Sequence, residues 1–276
     1  MIKADKYYIE NINNILYNGF VDENPRPKYP DGELAYSKFV TSVFEEYDLI
    51  NNEFPITTLR NTAIKTGIKE VLWIYQKQSN SLVDAHDMGI RWWDEWEVEN
   101  KNIGQRYGAT IKKYNLMNDL LDSLTSDPFS RRHIINMYQY QDLQETKGLY
   151  PCAYETLWSI YKKDNEFFLD LTLIQRSNDY IMAGYINKIQ YVALQMMVAG
   201  HLGYKVGKFS HLVQNLHIYL RHFDAVNELL ERTPLDIQPT IKLKENKNFY
   251  EYTVNDFIIE GTKDIKKINS PLPIAI

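Results

Sequence analysis

Apolar residues return at helical spacing in several stretches. Over 5–18, Tyr8, Ile12, Ile15 and Leu16 share one face, which predicts an amphipathic helix. Over 62–78, Ile64, Ile68, Val71, Leu72 and Tyr75 do the same. Residues 115–125 read as a helix stopped at Asp127-Pro128. Residues 187–201 read as another, with Ile189, Val192, Ala193, Met196 and Ala199 in phase, and 220–232 as a further one ended by Thr233-Pro234. Strands are predicted at 38–47, which alternates loosely, and at 133–138, 156–161 and 167–174, which are short and rich in β-formers. Residues 249–259 read as extended, and 23–32, with three prolines, as a loop. Helices and strands mix without a regular βαβ alternation, so the expected class is α+β with a mostly antiparallel or mixed sheet. No linker or internal repeat divides the chain, and one domain over 1–276 is expected.

Composition narrows the function classes. The 276 residues are 44% hydrophobic and 24% charged, which excludes a disordered chain. The net charge of −5 argues against duplex DNA as a partner. No run of roughly 18 apolar residues predicts a membrane span. Asp5 and Glu10 stand where a secretory signal would be apolar, so a cytoplasmic protein without a membrane partner is expected. The single cysteine, Cys152, excludes an intrachain disulfide and a Cys-rich zinc site. The six histidines form no HExxH pattern, and no metal is expected; neither GxGxxG nor GxxxxGK[ST] occurs.

Candidate chemistry gathers around Cys152, in Tyr150-Pro-Cys-Ala-Tyr-Glu155. A lone cysteine is more often a small buried hydrophobe than a nucleophile. A second segment changes that weighing. Gln175-Arg-Ser-Asn-Asp179 follows a predicted strand, and so polar a run is expected to lie outside the core. Arg131-Arg132, after Asp127-Pro-Phe-Ser130, adds two guanidinium groups. By itself the pair reads as a solvated surface feature. Guanidinium forks suit a phosphate, and a neighbouring cation lowers a thiol pKa.

In this order the motifs resemble the thymidylate synthase family over nearly the whole chain. Pro-Cys is followed by Gln-Arg-Ser-x-Asp, then Asn187, then His217-x-Tyr219. Asp127-Pro-x-Ser-Arg-Arg132 is similar to the family's phosphate segment, and Ile68-Lys-Glu-x-Leu-Trp73 to its glutamate-bearing helix. Trp93-Asp-Glu-Trp96 and Ile103-Gly-x-x-Tyr-Gly108 are similar to its folate-side segment, and Pro273-Ile-Ala-Ile276 to its closing tail. Pro-Cys-x-Tyr-Glu-Thr marks a bacterial and phage subgroup.

The resemblance implies reductive methylation of dUMP to dTMP, with 5,10-methylenetetrahydrofolate as carbon and hydride donor. It implies that the Cys152 thiolate adds to pyrimidine C6, with Arg176 favouring the thiolate. Arg26, Arg131, Arg132, Arg176 and Ser177 would clamp the 5′-phosphate, Arg131 and Arg132 crossing from the other subunit of a homodimer. Asn187 would read uracil, donating to O4 and accepting from N3–H. His217 and Tyr219 would hold the 3′-hydroxyl. Glu70 would relay protons and Tyr107 would assist loss of the C5 proton. Trp93, Trp96 and Asp179 would face the pterin, and Ile276 would seal the closed site. Without the resemblance, Glu70 reads as a solvent-facing helix residue, and His217 and Tyr219 as packing on a strand.

The chain also departs from the family pattern. Gln214-Asn215 replaces a Gly-Asp, and Met182-Ala-Gly-Tyr-Ile-Asn187 replaces Leu-Gly-x-Pro-Phe-Asn. Ala153 stands where many members have histidine. Asn178, Leu216 and Arg221-His222 also occur in pyrimidine hydroxymethylases, in which water captures the C5 methylene. A dUMP hydroxymethylase is therefore an alternative, and a nucleotide-binding relative without turnover is a third reading. The presence of Trp93, Trp96 and the Ile-Ala-Ile end favours the synthase, because such a site keeps water out.

Overall fold

In the computed structural model, which describes residues 1–276, the chain opens with α1 (Lys3–Asn18), β1 (Phe20–Val21) and β2 (Ser37–Asp48). Then come α2 (Ile64–Val71), α3 (Leu82–Asp87), α4 (Gly108–Lys113), α5 (Leu116–Ser126), β3 (Ile134–Asn136) and α6 (Tyr140–Glu145). The second half carries β4 (Ala153–Lys163), β5 (Glu166–Gln175), β6 (Asn178–Asp179), α7 (Gly184–Leu202) and β7 (Lys205–Tyr219). It ends with α8 (Phe223–Leu230), β8 (Thr240–Leu243) and β9 (Phe257–Glu260). The main sheet runs β1-β2-β7-β5-β4-β3, with β6 beside β7. Its pairs are antiparallel except β5 with β7 and β6 with β7, so the sheet is mixed and the class is α+β.

Cross-strand neighbours lie on one face of a sheet. One row joins Glu45, His211 and Leu173, and the next joins Tyr47, Phe209, Leu171 and Trp158. These residues are buried, and α7 packs over the β5 and β7 portion of that face. The sequence of α7 is apolar around most of its circumference, and Gly184 to Gly200 is buried apart from Ile186 and Asn187. The opposite face carries Phe44, Leu212 and Ile174 in one row and Leu157 and Ile134 in another. Nothing in the chain covers it, and Phe44 is 54% exposed.

Several expectations shift. The helix over 62–78 leaves α geometry at Val71 and continues as a π turn, Leu72–Gln76, closed by Lys77 N–H on the Leu72 carbonyl (2.8 Å). The helix expected at 220–232 is a 3₁₀ turn, Leu220–His222, followed by α8. The extended reading of 249–259 is corrected. Only β9 is a strand, and the rest is two 3₁₀ turns, the first capped by Asn248 and the second by a capping box between Thr253 and Asp256, whose carboxylate also takes Lys247 at 2.6 Å. The longest strand, β7, was not predicted, because His211 and His217 occupy buried positions and break the apolar alternation.

Candidate active site

Cys152 lies immediately before β4, where the β4–β5 register slips between Ala153 and Glu155. The irregularity leaves its thiol partly buried at the meeting of two lobes of one cleft. Its N–H donates to the Tyr107 hydroxyl (3.2 Å), and Arg176 Nη2 lies 3.5 Å from Sγ. Arg176 also donates to the Pro151 (2.9 Å) and Tyr150 (2.7 Å) carbonyls, so the guanidinium is held against the nucleophile's own turn. The expected depression of the thiol pKa does not follow. Burial pushes the thiol up and outweighs the attraction of Arg176 and Arg26.

One lobe, of about 240 Å³, is apolar and lies between α2, the tryptophan segment and α7. Trp93 and Trp96 wall it, meeting edge to face at 5.7 Å, and Trp93 meets Tyr107 at 5.1 Å. Tyr107 stands at φ +48°, a strained setting for a bulky residue. The glycine after it is required, since a Cβ on Gly108 would sit 2.2 Å from the Ser79 carbonyl oxygen. Burial raises the Tyr107 hydroxyl well above its usual pKa, so it stays neutral. Glu70 is buried here, contrary to the solvent-facing reading, and no cation faces it. Burial pushes its carboxyl up to about 7, with the hydrogen bond from Trp92 and the nearby N–H groups of Gln190 and Trp93 opposing. Trp92, part of the aromatic cluster Arg91-Trp-Trp-Asp-Glu-Trp96 but given no role from sequence, donates its indole N–H to Glu70. Its place beside the Trp93-Asp-Glu-Trp96 motif was the available signal.

The other lobe, of about 260 Å³, is mixed in lining and carries the charged groups. Arg26, Arg176, Ser177, Asp179, His217 and Tyr219 line it, with Asn187 at the border of the two lobes. Arg26 comes from the proline loop, whose Lys28 exchanges backbone hydrogen bonds of 2.8 and 2.9 Å with Ile276. The C-terminal residue thus closes the lobe as a two-residue ladder with that loop. Burial opposes ionisation of Asp179, but His222 at 3.7 Å, His217 and the Met182 N–H outweigh it and hold the carboxyl below its usual range. Burial likewise opposes protonation of His222, yet Asp179 and the Pro273 carbonyl (3.0 Å) raise its pKa. His217 is pushed down by burial, so the imidazole is biased toward its neutral form; its Nδ1 lies 3.0 Å from Asn215 Oδ1.

The run Gln175–Asp179 is not outside the core as expected. Gln175 and Asn178 are both 2% exposed; the Gln175 amide is paired at both ends, and Asn178 is paired through its Nδ2 while its Oδ1 has no partner. Gln175 Nε2 and Asn178 Nδ2 donate to Asn187 Oδ1 at 3.0 and 3.2 Å, and Asn187 Nδ2 donates to Gln190 Oε1 at 2.9 Å. Arg131 and Arg132 are exposed on the segment before β3 and line neither lobe of their own chain. No cluster of three His, Cys, Asp or Glu side chains is arranged for a metal, and no helix is long and apolar enough to cross a membrane.

Residues 6–274 match the family described as thymidylate synthase. The chain belongs to the thymidylate synthase family. It is 49% identical over 270 residues to thymidylate synthase of Lactococcus lactis subsp. lactis, covering 96% of this chain and 97% of that one. It is 51% identical over 270 residues to thymidylate synthase of Streptococcus pneumoniae strain 70585, with the same coverage. Its fold superposes on thermostable thymidylate synthase A from Bacillus subtilis with a TM-score of 0.88 at 34% identity, covering 99% of both chains.

Proposed function

We propose that this member of the family converts dUMP to dTMP, taking carbon and hydride from 5,10-methylenetetrahydrofolate, with residues 1–276 working as one catalytic domain. The observation that carries the reading is the position of the Cys152 thiol, with Arg26 and Arg176 on one side and the aromatic lobe holding Glu70 on the other. Arg26, Arg176 and Ser177 bind the 5′-phosphate by charge-assisted hydrogen bonds. With the nucleotide docked, Cys152 Sγ adds to C6. Arg176 stabilises the thiolate at the moment of attack, which matters because the resting thiol is protonated. Asn187 donates to O4 and accepts from N3–H, and His217 with Tyr219 takes the 3′-hydroxyl.

The aromatic lobe suits a flat reduced pterin. Trp93 and Trp96 offer apolar walls, and Asp179, in the adjoining lobe, offers an ionised acceptor at its edge. Bound there, the folate supplies the one-carbon unit and the hydride. Glu70, poised near neutrality, carries protons at O4 and on the folate side. The Tyr107 hydroxyl, held beside Cys152, assists removal of the C5 proton. The tail ending at Ile276 excludes water once both ligands are in place.

The protein works as a homodimer joined through the open face of the sheet. The support is the row of Phe44, Leu212 and Ile174 and the neighbouring Leu157 and Ile134, apolar and without a partner in the chain. Arg131 and Arg132 lie three and two residues before Ile134, where they can reach the other subunit's phosphate lobe. A free thiol nucleophile suits a reducing, cytoplasmic setting. The test is to mix the protein with dUMP and 5,10-methylenetetrahydrofolate. Growth of dihydrofolate absorbance with dTMP as product is expected. Tetrahydrofolate with a hydroxymethyl product would make the protein a hydroxymethylase, and no turnover would make it a binding protein.

A further inference from the structure

The amides that read the base are joined to a residue outside the cleft. His211, on β7, is 2% exposed and lines neither lobe. Its Nε2 lies 2.7 Å from Gln175 Oε1. From there the hydrogen bonds run in one direction. Gln175 Nε2 donates to Asn187 Oδ1, and Asn187 Nδ2 donates to Gln190 Oε1. Asn178 Nδ2 donates both to Gln175 Oε1 (3.1 Å) and to Asn187 Oδ1, in agreement with that direction. We propose that His211 is a positioning residue that selects uracil over cytosine by fixing which way the Gln175 and Asn187 amides face.

A carboxamide has two ends of nearly the same size, one a donor and one an acceptor, so shape alone does not orient it. Were Gln175 reversed, its carbonyl would face the carbonyl of Asn187, and relief would require Asn187 to reverse too. A reversed Asn187 presents NH₂ where uracil offers N3–H and a carbonyl where uracil offers O4. That arrangement complements cytosine, with its bare N3 and N4 amino group. Asparagine at 187 therefore does not choose the base by identity alone; its direction does, and the direction is inherited through Gln175.

His211 is suited to anchor the chain as a donor. Burial and the nearby Lys188 ammonium push its pKa down to about 3, with Glu45 opposing, so it is neutral and carries one N–H. The NH₂ of Gln175 is already given to Asn187 and, at 3.4 Å, to the Ser177 carbonyl, which leaves its Oε1 to accept from Nε2–H. The surroundings are built to hold that state. Glu45, the register partner of His211, is paired with Lys188 at 2.6 Å and takes the Tyr47 hydroxyl at 2.5 Å. Lys188 follows Asn187 on α7, is fully buried, and lies 3.7 Å from the centre of the Tyr185 ring.

The inference rests on the nucleotide reading above, and its test separates the two. Tritium release from 5-tritiated dUMP and dCMP, with 5,10-methylenetetrahydrofolate, reports C5 substitution of either kind. The ratio of kcat/KM for the two nucleotides is then compared across variants. Wild type is expected to favour dUMP at least tenfold. His211→Phe, which keeps a flat ring and loses the donor, should narrow the ratio about tenfold, and His211→Gln, which restores an N–H donor, should recover most of it. A ratio unchanged in His211→Phe, or equal losses on both nucleotides, overturns the inference. If His211→Phe does not fold, Gln175→Glu, which still accepts from His211 but donates nothing to Asn187, must narrow the ratio in the same way or the inference falls. Wild-type protein that releases tritium from neither nucleotide would instead defeat the functional reading itself.

Discussion

Glu70 and Asp179 are carboxylates of the same cleft driven in opposite directions. Glu70 sits in the aromatic lobe with only N–H donors beside it, and burial carries it up to about 7. Asp179 sits in the lobe that carries the charged groups, where His222, His217 and a backbone N–H overcome burial and hold it ionised. Two carboxylates of one type thus become a proton carrier and a fixed anion, and the difference lies in their surroundings. Cys152 stands between them and shares both influences, with burial raising its pKa and arginines lowering it.

Removing the residue on the border should cost most. Cys152→Ala should abolish turnover, a loss of at least about 10⁴-fold, while dUMP binding measured by calorimetry persists because the phosphate groups are intact. Retained turnover would end the covalent account and leave the two lobes without a common chemistry.

Glu70→Gln sharpens the contrast on the aromatic side. Turnover should fall about 10²–10⁴-fold, and a limb of the pH–rate profile near 7 should vanish. The stability effect has a definite sign. The folded pKa is raised above the unfolded value, so the group's contribution is full below about 4.5 and is lost as pH rises through about 7. Glu70→Gln should therefore leave stability nearly unchanged at pH 5 and raise it above pH 8, by up to about 3 kcal/mol in urea unfolding. Equal effects at both pH values would mean that Glu70 titrates normally.

On the nucleotide side, Asn187→Asp should shift kcat/KM from dUMP toward dCMP by at least about tenfold, since unmatched buried polar groups cost about 1–3 kcal/mol. An unmoved ratio would remove Asn187 as the reader. Mixing Cys152→Ala with Arg131→Ala protein should restore roughly a quarter of wild-type activity after subunit exchange, because half the dimers are hybrids with one whole site. No recovery would confine each site to a single chain. Asp179→Asn should have the smallest effect, a loss of about 1–2 kcal/mol at neutral pH that shrinks as pH falls through the depressed pKa of the carboxyl, measured by thermal unfolding.

Much of this could be read along the chain, and the omissions share a physical origin. The helices at 5–18 and 187–201 announce themselves by apolar spacing that the buried faces of α1 and α7 repeat. The strand β7 does not, because His211 and His217 are buried through hydrogen bonds rather than through apolarity. Gln175 and Asn178 were misjudged for the same reason: a polar residue enters a core once its partners are present, and those partners lie on other elements. Cys152 and Arg176 were found by motif and do meet, yet the balance between burial and charge at the thiol depends on the walls around it. The bond from Trp92 to Glu70 joins residues 22 apart, on segments whose spacing along the chain gives no sign that they meet.

The protonation of Glu70 can be observed directly. Infrared difference spectra of wild type against Glu70→Gln, recorded from pH 4 to pH 9, isolate the C=O stretch of this one protonated carboxyl. A band that persists above pH 5 and disappears with a midpoint near 7 is the predicted result. A band lost at the ordinary carboxylate value of about 4.3 would contradict the division of the cleft into a lobe that neutralises its carboxylate and a lobe that ionises it.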